Sequence, residues 1–149
     1  MKRLHLPARR GATLVEFALV VPVLLLLMLG VMEFGWYAKN QLALANATRE
    51  GARAASIGQT DSNIRQRIIN SALPVVVTSS DITLKYSTDS GASYVNFPPD
   101  NSLKSPPQNG VPAGSLVKVT VAVAHHRLIN LPITPSTVGA RVSMLRERT

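Results

Sequence analysis

From Phe17 to Met32 the chain reads FALVVPVLLLLMLGVM, sixteen residues without a charge or a strongly hydrogen-bonding side chain. Counting from Gly11, the apolar stretch is twenty-two residues long and is interrupted only by Glu16. At about 1.5 Å of rise per residue this is roughly 33 Å of helix, enough to cross a hydrocarbon core about 30 Å thick. A core helix of a soluble domain would show a polar face over such a length. A secretory signal has a shorter core that ends at a small-x-small cleavage site, whereas this run leads into Glu33-Phe34-Gly35-Trp36-Tyr37. The sequence therefore predicts a membrane-spanning helix over residues 12–35. Glu33, Trp36 and Tyr37 are expected at its membrane interface, where paired rings form an aromatic belt.

Charge supplies the orientation. Of 16 Lys and Arg residues, four (Lys2, Arg3, Arg9 and Arg10) precede the apolar run, and no acidic residue comes before Glu16. Without residues 1–11, the net charge of +8 falls to +4. Such a leader holds its end in the cytoplasm by the positive-inside rule, which leaves the C-terminal part outside. Half of the excess charge being local also removes the case for nucleic-acid binding, which needs basic residues gathered on one folded face. Cysteine is absent, so a disulfide framework, a thiolate metal site and a cysteine nucleophile are all excluded.

Glu16 is the anomaly of the apolar run. A carboxylate at a helix centre in the bilayer costs on the order of 2.5–3.5 kcal/mol, and less toward the interface. One reading leaves it solvated among cytoplasmic headgroups. The other notes that a cut after Gly11 would create an α-amine at Ala12, four residues upstream. That amine can meet the carboxylate within one helix or from a neighbouring subunit. Pro22 removes a backbone hydrogen bond and crowds the preceding turn, so a kink or local melting is expected near Ala18–Pro22; the opposing reading is a proline tolerated by its neighbours.

Beyond the span the helix is expected to continue over residues 36–56. Tyr37, Gln41, Leu44, Thr48, Gly51, Ala52 and Ala55 follow a 3.6-residue period and form one mostly small face, suited to packing within the chain or between subunits. Lys39, Asn46, Arg49, Glu50 and Arg53 fall on the other side. Residues 57–149 read as a separate α+β domain. Asp61 or Ser62 caps a second helix whose buried side is Ile64, Ile68, Ile69, Ala72 and Leu73, ending before Pro74. Ile82, Leu84 and Tyr86 then alternate with polar residues, and Asp89-Ser90-Gly91 turns the chain into Tyr94–Phe97. Residues 98–114, with five prolines, read as an exposed loop. Val117, Val119, Val121 and Val123 form one face of a strand, and a last strand is expected from about Gly139 to Arg146.

Chemistry is sparse. His125 and His126 would be the metal candidates, but adjacent strand residues point to opposite faces and cannot readily share one ion; surface or edge positions are expected for both. No nucleophile elbow, P-loop or dinucleotide fingerprint is present. No enzyme activity, cofactor or metal is predicted. Arg146 and Arg148, around Glu147, are expected to form a solvated C-terminal end.

The order Arg10-Gly11, Glu16-Phe17-Ala18, Pro22, Glu33-Phe34-Gly35 and Arg49-Glu50-Gly51-Ala52-Arg53 resembles the TadE-like pseudopilins (minor pilins) of the tight-adherence, or Flp, pilus system. The resemblance covers about residues 9–56. It implies a cytoplasmic leader, residues 1–11, removed by a prepilin peptidase between Gly11 and Ala12, with Glu16 as the recognition and assembly carboxylate. Ala12 stands where many type IV pilins have Phe. The resemblance further implies a pilin-like architecture, with a long N-terminal helix packed on a small antiparallel sheet in the periplasm. Implied partners are the peptidase, a second pseudopilin, the major Flp-type pilin, the inner-membrane assembly platform and the lipid bilayer. The alternative from a different class is a permanently anchored periplasmic adaptor or binding module.

Overall fold

The computed structural model describes residues 9–100, 108–126 and 135–147. Residues 1–8 of the expected leader, Arg148 and the middle of the proline-rich loop, 101–107, lie outside the described residues. The first element, α1 (Arg9–Ser56), is 48 residues long and runs without a break through Pro22, so residues 18–22 keep their helical backbone. The span and its predicted extension are one helix.

That helix has two unlike halves. From Gly11 to Met32 nearly every side chain is exposed, including Phe17 at 67% and Leu19 at 71%. Among the described side chains of α1 the first buried one is Glu33, and from there the small-residue stripe takes over: Leu44, Thr48, Ala52 and Ala55 are fully buried. The helix ends where Gly58, at φ 87°, adopts the left-handed conformation that closes a helix and that glycine reaches without penalty.

A second helix, α2 (Asp61–Ser71), is capped by Thr60, whose hydroxyl accepts from Asn63 N. The cap thus lies one residue before the Asp61 or Ser62 expected from sequence. Asp61 instead takes the first helical position, where its charge suits the helix dipole and its carboxylate pairs with Arg65 at 2.7 Å. Ile64, Ile68 and Ala72 are buried as expected, but Leu73 is 72% exposed. The helix stops at Ser71, so the 3.6-residue rotation that would have turned Leu73 inward no longer applies. Close approach of the two helices depends on Gly51, since a Cβ there would collide with the Ile68 side chain.

Four antiparallel strands complete the domain: β1 (Ile82–Ser87), β2 (Val95–Asn96), β3 (Leu116–Ala124) and β4 (Thr137–Leu145), in the order β2-β1-β3-β4. Ile82 and Leu84 pair with Val121 and Val119, and Val138 pairs with Val123. These residues form the inner face, which meets α1 through β3 and β4, and Val117, Val119 and Val121 are fully buried. The α+β architecture with a long apolar N-terminal helix, a second helix and an antiparallel sheet is the one expected from sequence.

The far end of the domain departs from expectation. Asn109, in the segment read as an exposed loop, is 3% exposed; its amide Nδ2 donates to Ala55 O at 3.1 Å and to Gln59 O at 2.9 Å. Arg146, read as solvated, is also 3% exposed, and its Nη1 donates to Ser56 O at 3.2 Å. The last carbonyls of α1 need donors once buried, and these two distant side chains add to the backbone N–H groups of Gly58 and Glu147, which donate to Ala55 O and Ser56 O. Gly58 contributes here as well, because a side chain at that position would meet the Arg146 guanidinium.

Candidate functional site: the apolar helix and its junction with the sheet

Gly11, Ala12, Glu16 and Pro22 all lie on the exposed half of α1. Among the described residues, nothing lies within 4 Å of where a Gly11 side chain would be. The segment from Gly11 has the length and apolarity of a membrane span, with a mean hydropathy of 2.7 over its most apolar window. Its exposed apolar surface fits lipid or neighbouring helices.

The three residues expected at the membrane interface sit where α1 meets the sheet. Glu33 is 1% exposed, and its Oε1 is 3.3 Å from Nε2 of His125. Tyr37, one turn further on, meets the same imidazole edge-to-face, with ring centroids 5.3 Å apart and planes at 83°. Trp36 is 40% exposed, with Lys39 Nζ 5.3 Å from its ring centroid. Trp36, Asn40, Val76 and His125 help to line a cavity of about 250 Å³ beside this contact.

His125 reaches Glu33 because it extends the inner row of β3 by one more step of two. The backbone continues the ladder there, with His125 N donating to Ser136 O at 2.9 Å. A buried position therefore replaces the surface or edge position expected for His125, while His126 is exposed. The two histidines thus differ in burial, although both border the same cavity just beyond the end of β3. Sequence contained the signal for the junction: the stripe of Tyr37, Gln41 and Leu44 carried one turn back reaches Glu33, and the valine parity carried forward reaches His125. Among the described residues, no group of three His, Cys, Asp or Glu side chains is placed to hold a metal ion.

Fold and junction together define a class of protein: an α+β domain built on the distal half of a helix whose proximal half is a candidate membrane span. Residues 11–53 match the family model of TadE-like protein, the family that the sequence resembles. The match begins at Gly11 and ends within the sheet-facing stripe, so it covers parts of both halves of α1 and none of the strands. No curated protein and no solved structure matches the chain.

Proposed function

We propose that the protein is a prepilin-like minor pilin, or pseudopilin, that takes part in assembly of a Tad/Flp-type pilus serving adhesion and surface colonisation. In this reading residues 1–11 are a cytoplasmic leader, residues 12–35 span the inner membrane, and residues 36–56 carry the helix into a periplasmic domain, 57–149. A prepilin peptidase cuts between Gly11 and Ala12. Glu16 then meets the new α-amine, in its own helix or a neighbour's, which offsets the cost of a carboxylate in lipid. Pro22 bends the helix for release from the bilayer. The partners are a second pseudopilin, the major pilin and the assembly platform.

The observation that carries this reading is the abrupt change along α1, from an exposed apolar half bearing a lone carboxylate to a half that serves as the domain's core. A subunit of this design can pack laterally through one half while its head remains folded on the other. N-terminal sequencing and intact mass of the chain purified from membranes test the reading. A start at Ala12 is expected. Retention of residues 1–11 overturns it in favour of a permanently anchored periplasmic adaptor. Glu16→Ala is expected to insert normally yet impair piliation, and unchanged piliation would count against the assembly role.

A further inference from the structure

The helix α1 packs against one face of the sheet, and among the described residues no helix covers the other, open face. On the open face Lys85 of β1 stands directly opposite Lys118 of β3. Arg141 of β4 stands opposite Thr120, two residues from Lys118 along the same face. Directly opposed side chains have Cβ atoms roughly 5 Å apart and diagonal neighbours roughly 7–8 Å, and opposed like charges destabilise a sheet. Three cations thus cross three adjoining strands in a diagonal line.

The chain has only eight acidic residues, and none of them answers this line. Glu50 pairs with Arg67, Asp61 with Arg65, and Glu33 meets His125. Asp81 accepts from Thr78, Asp89 from Ser87 and Ser93, and Asp100 from Asp61 N. Glu16 lies in the apolar run and Glu147 beyond the end of β4. Lys118 is propped over the Tyr94 ring, with Nζ 4.0 Å from the centroid, a contact that positions the charge without neutralising it.

We infer that the open sheet face is a docking surface for a folded protein that presents a cluster of carboxylates. The cations make it complementary to such a partner, and complementarity of this kind sets specificity and association rate. The remainder of the face distinguishes a protein from a polyanion. Leu145, 62% exposed, stands opposite Leu116 at one end, and Ala122 stands opposite Gly139 toward the other. Apolar and small residues beside charges suit a protein interface, whereas a nucleic-acid strand would need exposed rings for base stacking.

The test uses the full chain in uncharged phosphatidylcholine nanodiscs. The probe is a fluorescein-labelled amphipathic peptide with Glu along one face and Leu at its border, followed by anisotropy at low and high salt. Heparin and a single-stranded oligonucleotide serve as polyanion probes. The triple variant Lys85→Glu/Lys118→Glu/Arg141→Glu is expected to lose at least tenfold in peptide affinity. Lys39→Glu/Arg49→Glu/Arg53→Glu, with the same change in net charge on the exposed side of α1, is expected to lose less than threefold. Equal losses in the two variants, or heparin or oligonucleotide binding that depends on the sheet residues more strongly than peptide binding does, would overturn the proposal. Lys85→Glu alone adds a measure independent of binding. It places a carboxylate opposite Lys118, so Tm is expected to rise while peptide affinity falls; a fall in Tm would show that the lysine pair carries no retained cost.

Discussion

Glu33 on α1 and His125 just beyond β3 bring a carboxylate oxygen and an imidazole nitrogen to within 3.3 Å, with side-chain exposures of 1% and 0%. Ninety-two positions apart in sequence, they close the sheet onto the helix at the point where the exposed apolar half begins. Removing one partner leaves the other buried and less well matched, which typically costs about 1–3 kcal/mol. His125→Leu and Glu33→Leu are each expected to lower head-domain stability by that amount in detergent. The double substitution should recover part of the loss, because two apolar groups leave neither polar group unmatched. Denaturant unfolding followed by near-ultraviolet circular dichroism gives the coupling energy; strictly additive losses would show that the contact is not energetically linked.

Gly51 tests the seam between α1 and α2. Gly51→Ala places a methyl group against Ile68, and overpacking of this kind costs about 1–3 kcal/mol. Thermal unfolding should show the loss, and Ile68→Val in the same chain should return some of it by withdrawing the terminal methyl. A Gly51→Ala chain as stable as the parent would mean that the helices separate freely.

Arg146 and Asn109 close the far end of α1, and their truncation should loosen it. Asn109→Ala is expected to cost about 1–3 kcal/mol, since the half-buried Gln59 O loses its Asn109 donor and Ala55 O is left with Gly58 N alone. Amide hydrogen exchange should accelerate in the last turn of α1 and remain unchanged around Glu33.

The turn after β1 carries an acid sensitivity with a definite sign. Hydrogen bonds from Ser87 and then Ser93 hold the Asp89 carboxyl well below the usual carboxylate range. A depressed folded-state pKa contributes stability above the unfolded value, near 3.9, and that contribution is lost as pH falls through the folded value. Asp89→Asn should therefore be less stable than the parent at neutral pH, with the gap narrowing as pH drops below about 4. Melting curves across pH 2–7 check this, and a gap that widens in acid would contradict it.

Periodic features were legible in the sequence because each is set by local geometry. The stripe from Tyr37 to Ala55 and the valines of β3 face the core for the same reason that a helix repeats every 3.6 residues and a strand every two. Tertiary partners were not legible. Arg146 looked solvated because its acceptor, Ser56 O, lies 90 residues away, and Asn109 looked like loop because Ala55 O lies 54 away. Glu33 and Tyr37 are the instructive cases at the candidate site. Their place after an apolar run suggested the lipid boundary, while His125, which both touch, was separated from them by nearly the whole domain.

The unbroken backbone of α1 also fixes an azimuth. The apolar and sheet-side halves share one helical backbone, short of a single rung where Pro22 has no N–H to donate, and each residue advances the helix by about 100°. The direction in which Leu25, beyond Pro22, points around the helix axis therefore dictates which way the domain faces. Any neighbour that grips the apolar half beyond Pro22 aims the domain at whatever stands beside it.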